Sequence, residues 1–179
     1  SEFRTIQTPI PVPDSIPVLE RLAKCEPRSM GGQPGIIWDR AKDCSIWDPY
    51  GNRWIDFSSG VLVANAGHGA DEIVEAIKQQ AAHGLLHSYC FPNQPRVDLV
   101  KRICDLSPDP LSKVFLLTTG SETTEAAIKL ARTAGLRRGN RDKKIMVSFE
   151  NAFHGRTLGA QLIGGLQKLK EWAANLSTD

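Results

Sequence analysis

Between Asp71 and Phe149 the sequence alternates helical periodicity with short apolar runs, and that alternation narrows the possible folds more than any other feature. Ile73, Val74, Ile77, Ala81 and Leu85 recur at helical spacing over 71–86, with Glu75, Lys78 and Gln79 on the other side. This predicts an amphipathic helix whose first residues, Asp71 and Glu72, suit the positive end of its dipole. Val97, Val100, Ile103 and Cys104 repeat the pattern over 97–106. Val114-Phe115-Leu116-Leu117 and Ile145-Met146-Val147-Ser148-Phe149 are too short for helices and read as strands buried on both faces, with a third helix predicted between them over 122–134. Helix, strand, helix, strand in succession predicts an α/β fold with a parallel sheet covered by helices.

The first third of the chain reads differently. Residues 4–17 carry Pro9, Pro11, Pro13 and Pro17; proline removes backbone donors and blocks helix, which predicts an extended arm that either moves in solvent or lies along another surface. A short helix is predicted over 18–25. Ile36-Ile37-Trp38, Ser45-Ile46-Trp47 and Arg53-Trp54-Ile55-Asp56-Phe57 are β-prone, and Asp48-Pro49-Tyr50-Gly51-Asn52 between the last two has the residues of a hairpin turn. A small antiparallel β-meander follows. The organisation expected is therefore an arm and meander over 1–60 and an α/β domain from 61 to 179. Ser1-Glu2-Phe3 resembles a remnant of a cleaved tag and is set aside.

Composition excludes several functions. In 179 residues, 41% are hydrophobic and 23% charged, as in a soluble globular protein, and 22 basic against 20 acidic side chains leave a net charge of +2. That balance exerts no general pull toward nucleic acid or an anionic membrane. No run approaches the about 18 apolar residues of a membrane span, and the N-terminus has no secretory pattern. Residues 137–144 are strongly basic, but no aromatics interleave with the charges, so a solvated loop is the better reading than a nucleic-acid patch. Cys25, Cys44, Cys90 and Cys104 form no CxxC pair and stand at no zinc-finger spacing from a histidine; reduced thiols in a cytoplasmic protein, with no metal, are expected.

Two segments carry chemistry. Thr118-Thr119-Gly120-Ser121-Glu122 follows an apolar run and opens a helix, with Thr119 and Glu122 in capping-box spacing. Gly120 permits close backbone approach, and Ser121 adds a hydroxyl beside the free N–H groups of the first turn. Two readings are open: a helix cap alone, or a phosphate cradle. The segment is neither a P-loop nor a Gly-x-Gly-x-x-Gly fingerprint. Phe149-Glu150-Asn151-Ala152-Phe153-His154-Gly155-Arg156-Thr157 leaves the second run at its carboxyl end, where ligands bind in open α/β sheets. Phe153 is either ordinary core or a flat face for a planar ring. Arg156 is either a surface charge or a two-pronged holder of a carboxylate.

Taken together, these segments resemble the class III aminotransferases, which use pyridoxal 5'-phosphate. Trp47-Asp48-Pro49-Tyr50-Gly51-Asn52-Arg53-Trp54-Ile55-Asp56-Phe57-Ser58-Ser59-Gly60 resembles the family's Asp-x-x-Gly segment, Asn65-Ala66-Gly67-His68-Gly69 its Gly-His turn, and Gly120-Ser121-Glu122 with Glu125-Ala126-Ala127-Ile128-Lys129-Leu130-Ala131-Arg132 its cofactor helix. The similarity runs from about residue 30 to residue 165, covering four ordered motifs. Ala70 stands where the family often has proline, and Thr123 and Thr124 replace a small residue and asparagine.

The resemblance implies a fold type I transferase, of which this chain would be the first part of the large αβα domain preceded by the arm and meander. It implies that Gly120 and Ser121 hold the cofactor phosphate, that Phe153 stacks on the pyridine ring with His154 shaping the same loop, and that Arg156, Val61 and Leu62 contact substrate. Tyr89 and Phe91 would reach a neighbouring subunit's site, because the family forms homodimers. The reaction implied is transamination between an amino acid or ω-amino donor and a 2-keto acid acceptor, with no nucleic acid or membrane as partner. None of the lysines stands in the context of the family's Schiff-base lysine, so no catalytic residue is expected here and the 179 residues alone are expected to be inactive. An aminomutase, racemase or decarboxylase of the same fold, or a short non-catalytic interaction module, are the alternatives.

Overall fold

A five-residue turn organises the N-terminal part of the structure, a computed structural model that describes residues 3–173. Asp48 N–H donates to Asn52 O at 3.2 Å, and Asp48 Oδ1 accepts from the backbone of Tyr50 and Asn52 at 3.0 and 2.9 Å. The turn joins two strands of an antiparallel sheet in the order β1 (Arg40–Lys42), β2 (Ser45–Trp47), β3 (Arg53–Ile55). Trp47 lies opposite Arg40 on one side and Arg53 on the other, so both guanidinium groups reach its ring, at 4.4 and 5.1 Å from the centroid. The alternate position, Ile46, turns to the other face and is 1% exposed.

The expected strand at 36–38 is displaced to Arg40–Lys42. The two-residue connection Asp43-Cys44 sets the register, and β2 runs only as far as Trp47 before the Asp48 turn. Past Asp39, whose N–H reaches Trp47 O at 2.9 Å, Ile36–Trp38 has no ladder partner among the described residues. Strands exist only through such partners.

The arm lies on the sheet. Thr5 and Arg53 exchange both backbone hydrogen bonds, at 3.0 and 2.7 Å. Asn52 then anchors the next two residues. Its Oδ1 accepts from Gln7 N at 2.7 Å and Thr8 N at 3.3 Å, while its Nδ2 donates to Thr8 Oγ1 at 2.8 Å and Asp48 Oδ2 at 2.6 Å. Asn52 is fully buried and uses every donor and acceptor of its amide.

Two compact units divide between Phe91 and Pro92. The first holds the arm, α1 (Ile16–Cys25), the sheet, α2 (Ser59–Leu62) and α3 (Asp71–Ala82). The α3 helix ends four residues earlier than its apolar pattern, because Gly84 takes the left-handed conformation, φ 74°, that closes a helix. The α2 element is one left-handed turn, with φ of 52°, 59°, 63° and 67° at Ser59, Gly60, Val61 and Leu62. Such winding costs L-residues about 1–2 kcal/mol each. Asp56 holds it: Oδ1 accepts from Ser58 N and Oγ at 2.8 and 2.7 Å, and Oδ2 from Gly60 N and His68 Nε2, both at 2.7 Å. His68 and the Ser58 hydroxyl keep this carboxyl far below the usual carboxylate range. The Gly67-His68 turn is fastened in its place by a two-way backbone bridge to Asp43 at 2.8 and 2.9 Å.

The second unit holds α4 (Gln94–Leu106), α5 (Gly120–Arg137) and α6 (Leu158–Leu162). α4 begins three residues before its apolar pattern, because Asn93 caps it by accepting from Arg96 N at 3.0 Å. Neither apolar run is a strand. Over 114–117 and 145–149 the described chain has no ladder partner, and Phe115, Ile145, Val147 and Phe149 are 70%, 86%, 94% and 85% exposed. The expectation of buried strands is corrected at these positions: among the described residues the runs do not pair with each other, and no other strand pairs with either. No described helix is long and apolar enough to cross a membrane. Ser1 and Glu2, read above as part of a tag remnant, lie outside the described residues.

Candidate functional site

The start of α5 and the loop from Phe153 to Thr157 meet in the second unit. The capping box predicted from spacing is present: Thr119 Oγ1 accepts from Glu122 N at 3.2 Å, and Glu122 Oε2 accepts from Thr119 N at 2.9 Å. This satisfies the donors at the ends of the box and turns the Glu122 carboxylate back onto Thr119. The N–H groups of Gly120 and Ser121 between them have no acceptor among the described residues. A Cβ built on Gly120 would meet nothing within 4 Å, so the glycine borders open space.

Ser121 joins this helix start to the loop. Its Oγ accepts from Arg156 N at 3.3 Å. A hydroxyl that accepts from an N–H still has its own proton to donate, so Ser121 and the two backbone N–H groups form a set of three donors beside the space at Gly120. Such a set at the positive end of an 18-residue helix suits a tetrahedral oxyanion. The loop can come this close only because residue 155 is glycine. Its φ is 124°, and a Cβ there would lie 2.7 Å from Ser121 Cβ and 2.9 Å from Ser121 Cα.

Phe153 is 60% exposed. His154 Nε2 and Ser148 Oγ share a 3.1 Å hydrogen bond that ties the loop to the preceding run. Arg156 is exposed, and its backbone makes the contact to Ser121. The structure thus brings Gly120, Ser121 and Arg156 together, with Phe153 and His154 on the same loop. Val61 and Leu62 belong to the first unit, on the left-handed turn, 72% and 78% exposed.

Sequence reasoning assigned no role to Glu125. Its Oε1 accepts from Thr157 Oγ1 at 2.6 Å, Gly159 N at 2.8 Å and Ala160 N at 3.1 Å. These bonds hold its carboxyl below the ordinary range, the Thr157 hydroxyl most strongly. The partners lie 32 to 35 residues away in the chain, and the only local signal is an acid one helical turn after Ser121. A cleft of about 620 Å³ in the same unit is lined by Arg132, Lys144, Ser148, Glu150 and Lys170 and contains none of Gly120, Ser121, Phe153 or Arg156. Among the described residues no cluster of His, Cys, Asp or Glu could hold a metal ion.

Comparison with known proteins gives a consistent pattern. The Aminotransferase class-III family model matches residues 28–171. An acetylornithine aminotransferase of Clostridium acetobutylicum is 36% identical over 140 residues, which is 78% of this chain and 36% of the relative. A 4-aminobutyrate aminotransferase of Escherichia coli is 35% identical over 144 residues, 78% of this chain and 32% of the relative. Among solved structures, an adenosylmethionine-8-amino-7-oxononanoate aminotransferase from Methanocaldococcus jannaschii superposes with a TM-score of 0.79 at 30% identity, covering 88% of this chain and 38% of its own. A transaminase from the marine bacterium Virgibacillus superposes with a TM-score of 0.79 at 25% identity, covering 92% and 39%. The chain spans about a third of the length of the curated relatives it matches.

Proposed function

The chain belongs to the class III aminotransferases, and from that membership we propose that the protein of which it is part moves amino groups between an amino acid or ω-amino compound and a 2-keto acid, using pyridoxal 5'-phosphate. The α/β architecture it shares with solved transaminases is that of fold type I. The observation that carries the cofactor reading is the donor set at the start of α5. Two backbone N–H groups with no acceptor among the described residues and the Ser121 hydroxyl stand together at this helix start, where Gly120 borders open space. Each member of the set can donate a hydrogen bond to a phosphate oxygen, so these residues fit the group.

In this reading Gly120 and Ser121 hold the phosphate. Phe153 lies against the cofactor ring, and its exposed face is the apolar surface such a ring needs. The bond between His154 and Ser148 ties down the loop beside Phe153. Arg156 holds the substrate carboxylate with its guanidinium while its backbone N–H orients Ser121. Val61 and Leu62 supply apolar contact to the substrate. When bound, the cofactor supplies a conjugated ring that takes up the electron pair left as the substrate Cα loses its proton. The lysine that would move this proton is not in the present chain, so the 179 residues by themselves do not transaminate. The working form in this reading is the family's homodimer, in which Tyr89 and Phe91 reach the neighbouring subunit's site.

The test uses the full-length protein. Wild type is expected to retain cofactor absorbance through dialysis, and Phe153→Ala to bind pyridoxal phosphate about threefold to tenfold more weakly beyond the loss of burial. Unchanged retention in the variant would remove the stacking role. Arg156→Lys separates the substrate assignment from the cofactor one. An ammonium cannot reproduce the two parallel bonds of a guanidinium, so kcat/KM should fall more for substrates bearing a carboxylate near the reacting amine than for simple amines. An equal fall for both would make Arg156 a structural residue.

A further inference from the structure

We propose that Glu125 is the positioning residue that delivers the Phe153–Thr157 loop to Ser121. The proposal rests on the cofactor reading above and concerns how that site is kept in register. Ser121 and Glu125 are four residues apart and share one face of α5. Each meets a glycine of the facing segment, also four apart: the Cβ position of Gly155 is filled by Ser121, and that of Gly159 by Glu125. Each also accepts backbone N–H groups next to its glycine. Ser121 takes Arg156 N, and Glu125 takes Gly159 N and Ala160 N, adding the Thr157 hydroxyl. One helix face therefore grips residues 155–160 at two matched points.

The two points differ in strength. The Ser121 contact is a single 3.3 Å bond to a hydroxyl. The Glu125 contact is three bonds to one carboxylate oxygen, and bonds to an ionised acceptor are roughly twice as strong as neutral ones. Thr157 is adjacent to Arg156, so the stronger grip fixes where the Arg156 N–H arrives. That N–H occupies a lone pair of Ser121 Oγ and thereby sets which way the remaining hydroxyl proton points. Glu125 touches neither phosphate nor substrate in this arrangement. It acts through Thr157 and the α6 start on Arg156, and through Arg156 on Ser121.

The experiment compares Glu125→Ala, Glu125→Gln, Thr157→Val and the Ala/Val double variant in the full-length protein, with pyridoxal phosphate as the probe. The readouts are its dissociation constant, the circular dichroism that the bound cofactor shows in the visible, and the melting temperature of the cofactor-free protein. Glu125→Ala should weaken pyridoxal phosphate by about tenfold or more and reduce the dichroic signal. Glu125→Gln keeps an acceptor oxygen without its charge and should recover part of both. Thr157→Val should give a smaller loss, and the double variant should be no worse than Glu125→Ala, because the two residues serve one contact. If wild type binds the cofactor and Glu125→Gln and Thr157→Val both melt and bind like wild type while Glu125→Ala binds equally well, the proposal is wrong. It is also wrong if cofactor affinity falls only in step with the melting temperature of the cofactor-free protein. Should Glu125→Ala fail to fold, Thr157→Val binding with unchanged affinity and dichroism overturns it alone. Wild type that binds no pyridoxal phosphate would instead sink the cofactor reading itself.

Discussion

Gly155→Val is expected to reduce pyridoxal phosphate affinity by on the order of a hundredfold or more. Two effects combine. The backbone at φ 124° lies in a region that β-branched residues avoid, and the new Cβ would press into the Cα and Cβ of Ser121. Neither the α5 backbone nor the loop, held at Thr157 by Glu125, has a flexible end with which to yield. The result should be a displaced Ser121 and a lost donor set. Gly139→Val is the control. Its φ is 76°, but nothing lies within 4 Å of its Cβ, so it carries backbone strain of about 1–3 kcal/mol without the collision. A titration in which both variants bind the cofactor with similar affinity would show that the Gly155–Ser121 approach does not matter.

The second large effect is expected at Asn52. Asn52→Ala should destabilise the first unit by about 3 kcal/mol and free the arm. The substitution removes an amide whose four hydrogen-bonding positions are all in use at a site with no solvent access. It leaves Asp48 Oδ2 and the Gln7 and Thr8 amides without their partners. A denaturant titration would read the stability, and limited proteolysis would read the arm, with faster cleavage near Gln7 expected in the variant. Wild-type resistance to cleavage there would mean that the Thr5–Arg53 pairing alone secures the arm.

Features written in neighbouring residues were legible from the sequence. Thr119 and Glu122 predicted their own capping box, and Asp48-Pro49-Tyr50-Gly51-Asn52 predicted its turn, because donors and acceptors there lie within a few bonds of each other. Helix ends were less legible: Gly84 and Asn93 act at the margins of apolar patterns that extend past or fall short of them. The first strand moved because register depends on how much chain is left opposite it, and Ile36–Trp38 has the right residues but no ladder partner among the described ones. Val114–Leu117 and Ile145–Phe149 have the composition of buried strands, but composition cannot supply a neighbouring ladder. Of the candidate site, Gly120, Ser121, Phe153 and Arg156 stand out by residue type and context. Glu125 does not, because its role exists only once residues 157–160 have folded back onto α5. Asp56 and His68 were visible as motif members, but nothing in Ser59, Val61 or Leu62 predicts four successive positive φ angles.

That left-handed turn inverts the usual rules of substitution. Along an ordinary helix glycine is the poor choice and a bulkier side chain the safe one. Over Ser59–Leu62 the order runs the other way, with glycine least strained, asparagine and aspartate next, and β-branched residues such as Val61 most strained. A variant library at these positions would therefore mix two signals. Trimming Val61 to glycine would relax the backbone while deleting apolar surface, and enlarging it to isoleucine would keep both the surface and the strain. Any reshaping of substrate preference through Val61 or Leu62 has to be judged against a stability baseline measured in mirror image, and changes at Asp56 would move that baseline for all four residues at once.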